Sequence, residues 1–275
     1  MSKSRSRATT RRSGKRARAA GGGSLVYAYA AVSGRPSPRT VARLARVPGG
    51  GPPRVLSIDD QFSVIVADVP ADVYNSEAIE ARLSDLDWVG ACGAAHHAVA
   101  DALFASRLVV PLRLFTLFAD GERAQAALVR MRPRIRKAFA RLDGRKEFVL
   151  RVGRPDASRA DAADAGPAAS PDRATGTGFL RAKASSRRET AERQAHASRS
   201  AVEVFDALSA IAADSRARTT PTGANLLLDA AFLVDTRKSA SFRRTLARAA
   251  SGLLRDGCPV SLSGPWPPYS FASTD

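Results

Sequence analysis

The sequence predicts an α+β protein of two domains, and three observations predict it. Hydrophobic residues make up 44% of the chain and charged residues 25%, the composition of a chain that folds around a core. Short strand-like runs are interspersed with longer helix-period stretches. The second half reads β-α-β-β-α-β, the order of a ferredoxin-like sheet. At 275 residues the chain accommodates one large or two ordinary domains. The expected division is a disordered basic tail over 1–23, an N-terminal α+β domain over 24–143, a ferredoxin-like C-terminal domain over 144–263, and a Pro/aromatic C-terminal arm over 264–275.

Alternation at Leu25, Tyr27 and Tyr29 marks the first strand. Ser37 caps a short helix that opens on Pro38 and carries Val41, Leu44 and Ala45. A Pro/Gly break over 48–53 leads to strands at 55–58 and 62–67, joined as an antiparallel hairpin through Asp59-Asp60-Gln61. Residues 77–86 read as helix. Asp87 then caps a second helix with Trp88, Cys92, Val99 and Leu103 on one face. A strand at 109–114 precedes a basic amphipathic helix over 122–141, with Ala127, Leu128, Met131 and Ile135 inward. In the second domain, a strand at 147–152 is followed by a flexible loop over 153–177, rich in Ala, Asp, Pro, Gly and Ser. A long helix over 181–213 carries Val202, Phe205, Leu208 and Ile211 in its apolar half. After a short strand near 216–220 and a turn at Pro221-Thr222-Gly223 come a continuously apolar strand at 226–234, a helix over 239–254 and a last strand at 259–262.

The net charge of +17 is concentrated at one end. Residues 1–23 hold eight Lys and Arg and no acid, so this stretch repels itself and has little to bury. Arginine outnumbers lysine 37 to 6, a bias that a GC-rich genome produces without selection for binding. Non-specific, salt-sensitive attraction to polyanions follows from such charge, but no recognition-helix or RNA-binding motif accompanies it. Cys92 and Cys258 lie far apart, which argues against a disulfide framework and fits a reducing, cytoplasmic setting. No run approaches the roughly 20 apolar residues of a membrane-spanning helix.

Catalytic patterns are scarce. His96 and His97 are adjacent, so on a helix they diverge by about 100° and do not share a metal easily. His196 has no ligand-type neighbour at coordinating spacing. Cys92 lies one turn before His96, a spacing at which histidine can activate a thiol, but the apolar surroundings favour packing. The glycine runs at 21–23 and 49–51 lack the Gly-Lys-Ser/Thr ending of a phosphate loop. Arg113, inside an apolar run, requires a partner if it is buried. No reaction, cofactor or metal is indicated.

The most informative stretch is Gly264-Pro265-Trp266-Pro267-Pro268-Tyr269-Ser270-Phe271. Three prolines remove three backbone donors and fix φ, which predicts a stiff, extended, polyproline-like arm studded with aromatics. Such an arm offers Trp266, Tyr269 and Phe271, with Pro267 and Pro268, as anchors for a partner. The alternative is that these rings fold back and seal the chain's own core.

This octapeptide, following a short strand, resembles the close of the gas vesicle proteins GvpF and GvpL. Leu25-Val26-Tyr27-Ala28-Tyr29-Ala30 resembles that family's opening strand. Trp88, with His96 and Val99 after it, resembles the central helix, and Val110-Pro111-Leu112-Arg113-Leu114-Phe115-Thr116-Leu117-Phe118 the segment that follows. Gly178-Phe179-Leu180 with Lys183, and Ala231-Phe232-Leu233-Val234, resemble the second half. The likeness spans about residues 24–271. It implies an α+β N-domain, a ferredoxin-like C-domain and a cytoplasmic accessory role in gas vesicle formation. The implied partners are the small hydrophobic shell protein and other accessory proteins. Trp88, His96, Pro111, Arg113, Thr116 and Phe118 match family positions and carry structural roles on this reading; Phe115 stands where many members carry glycine. Two readings of other classes compete. A nucleic-acid-binding module would use residues 1–23 and the 130–137 face, and a small-ligand sensor or enzyme would use the 153–177 loop as a lid.

Overall fold

The computed structural model describes residues 23–155, 176–218 and 225–272. The expectations for the basic tail, for most of the 153–177 loop and for the Pro221 turn therefore lie outside the described residues.

The chain is α+β, built on two antiparallel sheets. Strand β1 (Ser24–Ser33) is the centre of the first. It pairs along its whole length with β3 (Phe62–Pro70), which pairs on its other side with the edge strand β2 (Arg54–Ser57). A bulge between Ala28 and Ala30 shifts the register. Bulges flip side-chain parity, and Tyr27 and Tyr29 accordingly share a face with Ala30 and Val32 rather than with Ala31. The free side of β1 receives two short strands, β4 (Val109–Pro111) and β5 (Leu117–Phe118). The strand expected over 109–114 therefore stops at Pro111, where the chain loops out and returns.

Helices cover both faces of this sheet. Helix α1 (Pro38–Ala42) opens as expected, Ser37 accepting a hydrogen bond from the Thr40 amide. After α2 (Ala71–Tyr74) and α3 (Ser76–Arg82), α4 (Leu86–Phe104) lays Cys92, His96, Val99, Ala100 and Leu103 on the tyrosine face. The helix starts two residues earlier than expected. Asp85 rather than Asp87 is its cap, because Asp85 accepts from the Trp88 amide, and Trp88 itself is only half-buried. On the opposite face, α5 (Gly121–Leu142) packs Ala124, Leu128, Ile135, Ala138 and Leu142; the expected Ala127 and Met131 are half-buried at its margin.

The second sheet contains β6 (Arg145–Gly153), β7 (Asp214–Ala217), β8 (Leu226–Asp235) and β9 (Val260–Trp266), in the order β7-β8-β6-β9. The long helix α6 (Gly176–Ser209) and the pair α7 (Ser239–Ala249) and α8 (Ser251–Arg255) complete the β-α-β-β-α-β order. On α6 the inward residues are Ala197, Ala201, Val204 and Leu208, while Val202 points outward. The helix expected over 239–254 breaks at Ala250. Strand β8 explains its own apolar run. Ala230, Phe232 and Val234 face the second sheet's helices, whereas Ala231 and Leu233 join the core that α5 makes with the first sheet. A strand buried on both faces carries no polar alternation.

Candidate functional site

The arm expected to stand away from the fold is folded onto it. Its first three residues extend β9, an edge strand, where the missing amide of Pro265 leaves no inward ladder bond unmade. Gly264 is required there: its φ is 116°, and a Cβ would lie 2.7 Å from the Glu147 carbonyl oxygen. The chain then turns. The Tyr269 amide donates to the Pro267 carbonyl at 2.8 Å and the Phe271 amide to the Pro268 carbonyl at 3.1 Å. The extended polyproline-like course is thus corrected to a strand followed by two turns.

Beneath the turns sits Glu147 of β6, only 2% exposed. Its Oε2 accepts from the Ser270 amide at 2.8 Å, and its Oε1 accepts from the Ser270 hydroxyl at 2.8 Å and from Arg218 Nη2 at 3.1 Å. Arg218 Nη2 also donates to Ser270 Oγ at 2.8 Å, and Arg216 donates to the Ser270 carbonyl. Burial pushes the Glu147 carboxyl above the usual carboxylate range, and the Ser270 and Arg218 bonds pull it back. Next to this cluster Phe271 is fully buried, with the Arg216 and Arg141 guanidinium groups 5.2 and 6.0 Å from its ring centroid. Pro267 and Pro268 are buried as well. The fold-back alternative therefore describes Pro267, Pro268 and Phe271. Glu147, Arg218 and Ser270 escaped sequence reasoning as a group; the one available signal was an acid entering an apolar strand.

Trp266 and Tyr269 remain outward, each 37% exposed. Both lean on His97 of α4, with ring centroids 5.6 and 5.7 Å away, and the Tyr269 hydroxyl lies 3.3 Å from His97 Nδ1. Tyr269 and His97, with Gly93, His96, the 111–114 segment and Ala272, border an open cleft of about 300 Å³, and Trp266 lies next to it against His97.

The wall of this cleft is the loop between β4 and β5, and a buried polar network fixes it. His96 Nε2 lies 3.0 Å from the Leu112 carbonyl and Nδ1 lies 2.7 Å from the Tyr27 hydroxyl. A carbonyl only accepts, so Nε2 carries the proton and Nδ1 accepts from Tyr27. The Tyr27 hydroxyl in turn takes the Phe115 amide. Phe115 is the i+2 residue of a turn closed by the Thr116 amide on the Arg113 carbonyl (3.1 Å), reinforced by Thr116 Oγ1 on the same oxygen (2.7 Å). Its φ of 61° is the left-handed conformation that favours glycine, and its ring stacks on Trp88 at 5.5 Å and 7°. Trp88, His96, Pro111, Arg113 and Thr116 thus surround one knot, while Phe118 pairs with Val26 across β5. Arg113 is exposed at the turn rather than inside a strand.

Burial lowers the His96 imidazole to about 4, and both its nitrogens are engaged, so it offers no base to Cys92. The Cys92 thiol is itself raised by burial and contacts the Tyr74 hydroxyl at 3.7 Å. Among the described residues no cluster of three or more His, Cys, Asp or Glu is placed to hold a metal, and no helix is long and apolar enough to cross a membrane. The arrangement presents aromatic and apolar surface on a rigid support.

Known proteins resemble this chain in sequence and fold. Residues 25–273 match the family of the gas vesicle synthesis protein GvpL/GvpF. Gas vesicle protein L of a Streptomyces species is 34% identical over 257 residues, covering 90% of this chain and 92% of that protein. The crystal structure of the gas vesicle protein GvpF from Anabaena sp. superposes with a TM-score of 0.63 at 16% identity, over 91% of this chain and 96% of its own. GvpF from Microcystis aeruginosa gives 0.54 at 15% identity, over 90% and 99%. The chain belongs to the GvpL/GvpF family of gas vesicle synthesis proteins.

Proposed function

We propose that this chain is a non-catalytic assembly protein of gas vesicle formation. It acts in the cytoplasm at the nascent vesicle, binding the small hydrophobic shell protein and fellow accessory proteins. Family membership supports the setting. The observation that carries the mechanism is the divided arm: Phe271, Pro267 and Pro268 are locked down by Glu147 and Arg218, which holds Trp266 and Tyr269 outward beside the cleft. Aromatic anchors on a pre-organised support dominate interfaces because little entropy is lost when they bind. Covering the apolar surface of a shell subunit would keep it from aggregating before nucleation. Two domains divided near residue 144 serve this role, and the strand order β9-β6-β8-β7 with its two crossovers supports a ferredoxin-like second domain.

The test is capture of co-expressed shell protein by the wild-type chain and by Trp266→Ala/Tyr269→Ala. The variant is expected to retain its circular dichroism and lose at least tenfold in capture, and cells lacking the gene are expected to lose buoyancy. Undiminished capture by the folded variant overturns the mechanism.

A further inference from the structure

Only one side of α4 is used by the fold. The other side carries Leu86, Gly90, Ala94 and Ala98, and the helix contains no Lys or Arg. A helix apolar nearly all round belongs inside a protein, yet Leu86 is 79% exposed and Leu83, just before it, 54%. Gly90 and Gly93 sharpen the point. Neither has a left-handed φ, and a methyl group added at either meets nothing within 4 Å. Glycine inside a helix is destabilising relative to alanine, and no contact among the described residues requires it here. Close approach of another backbone is the remaining physical reason.

Leu86, Gly90, Gly93 and His97 follow one another at intervals of four, three and four, so they form a single stripe of about 16 Å at 1.5 Å per residue. The stripe runs from the exposed leucines to the ring pair Trp266 and Tyr269, which rests on His97. The stretch of chain that bears it is acidic: residues 72–101 hold Asp72, Glu77, Glu80, Asp85, Asp87 and Asp101 against Arg82 alone, in a chain of net charge +17, while Arg113 borders the cleft at the Gly93–His97 end. Resting on the docking reading above, we infer that the partner segment is an amphipathic α-helix. It lies along this stripe with large apolar side chains over Gly90 and Gly93 and Lys or Arg on its flanks.

Two probes test this: co-expressed shell protein, and a synthetic 20-residue helix with a leucine stripe and lysine flanks, compared with its glutamate-flanked counterpart. Gly90→Ala/Gly93→Ala is expected to raise Tm while weakening capture of both probes at least tenfold; Gly90→Leu/Gly93→Leu weakens it further. The lysine-flanked peptide binds at least tenfold tighter than the glutamate one, and the preference fades with salt. Capture unchanged in the leucine variant overturns the inference. If Trp266→Ala/Tyr269→Ala still abolishes shell-protein capture in that case, the docking reading stands without it. Binding of the lysine peptide but not of the shell protein keeps the stripe and removes the shell protein as its occupant. Binding of neither probe removes both. A wild-type dimer in sedimentation that the leucine variant lacks overturns the assignment in favour of a second copy.

Discussion

Removing the Glu147 carboxylate tests whether the arm is anchored as described. In Glu147→Ala the Ser270 amide and hydroxyl lose their acceptors in a site that is 2% exposed, and Arg218 keeps the Ser270 hydroxyl but no carboxylate nearer than Asp229, with Nη1 3.9 Å from Oδ1. Breaking one side of a buried charged pair costs about 3–5 kcal/mol. For a chain of this size each kcal/mol lowers Tm by roughly 2–4 °C, so a fall on the order of 10 °C is expected in thermal unfolding followed by circular dichroism. Ser270→Ala is milder. It deletes the hydroxyl bridge between Glu147 Oε1 and Arg218 Nη2 but leaves the Ser270 amide on Oε2 and Arg218 on Oε1; about 1–3 kcal/mol follows for charge-assisted bonds. The double variant is expected to cost less than the sum of the singles, because both remove the same contacts. Tyrosine and tryptophan fluorescence of Glu147→Ala should also report a loosened ring pair before global unfolding. A Tm within 1 °C of wild type for both single variants refutes the anchoring argument.

Two further outcomes follow from the cleft wall. His96 is lowered from 6.5 to about 4 by burial, so the folded chain binds fewer protons than the unfolded one between these values. Its stability contribution is present above pH 6.5 and lost as pH falls toward 4, reaching about 3 kcal/mol; urea unfolding at pH 7 and pH 4.5 should show this slope in wild type and lack it in His96→Gln. At Phe115, Phe115→Ala keeps the left-handed backbone strain and loses the Trp88 stack, whereas Phe115→Gly loses the stack and relieves the strain. Phe115→Gly is therefore expected to be about 1 kcal/mol the more stable of the two; equal stabilities would contradict the turn geometry.

Periodicity made most elements legible, and the misses share a cause. The β2–β3 hairpin, the Ser37 cap and the amphipathic α5 follow from local chemistry alone. The 109–114 strand failed because its end is set from a distance. The bulge at Tyr29 and the bonds from Leu112 to Tyr29 (3.0 Å) and from Ala28 to Thr116 (2.9 Å) decide where the chain leaves β1, and no window of residues records them. On α6 the apolar Val202 invited an inward assignment, yet Ala197 and Ala201 pack there, since small residues let the helix lie close on the sheet. At the candidate site, His96 and the arm stood out as residue types, but their roles depend on Tyr27 and Glu147, separated from them by 69 and 123 positions.

The core-seal reading of the arm holds for some residues of the segment, and the residues that the proposed docking needs are the ones left exposed. Pro267, Pro268 and Phe271 face inward and Trp266 and Tyr269 outward, a division that a straight polyproline helix, with three residues per turn, would also give, although the backbone here does not run straight. The two turns after β9 produce it, and they hold because Ser270 satisfies a buried carboxylate that would otherwise face only Arg218. Stability and presentation are therefore coupled through one side chain. Any change that frees Ser270 weakens the core around Phe271 and lets Trp266 and Tyr269 leave His97 together, so loss of docking by such a variant would report on the anchor and not on the rings. Only substitutions at the exposed positions, where nothing beneath them moves, separate the two.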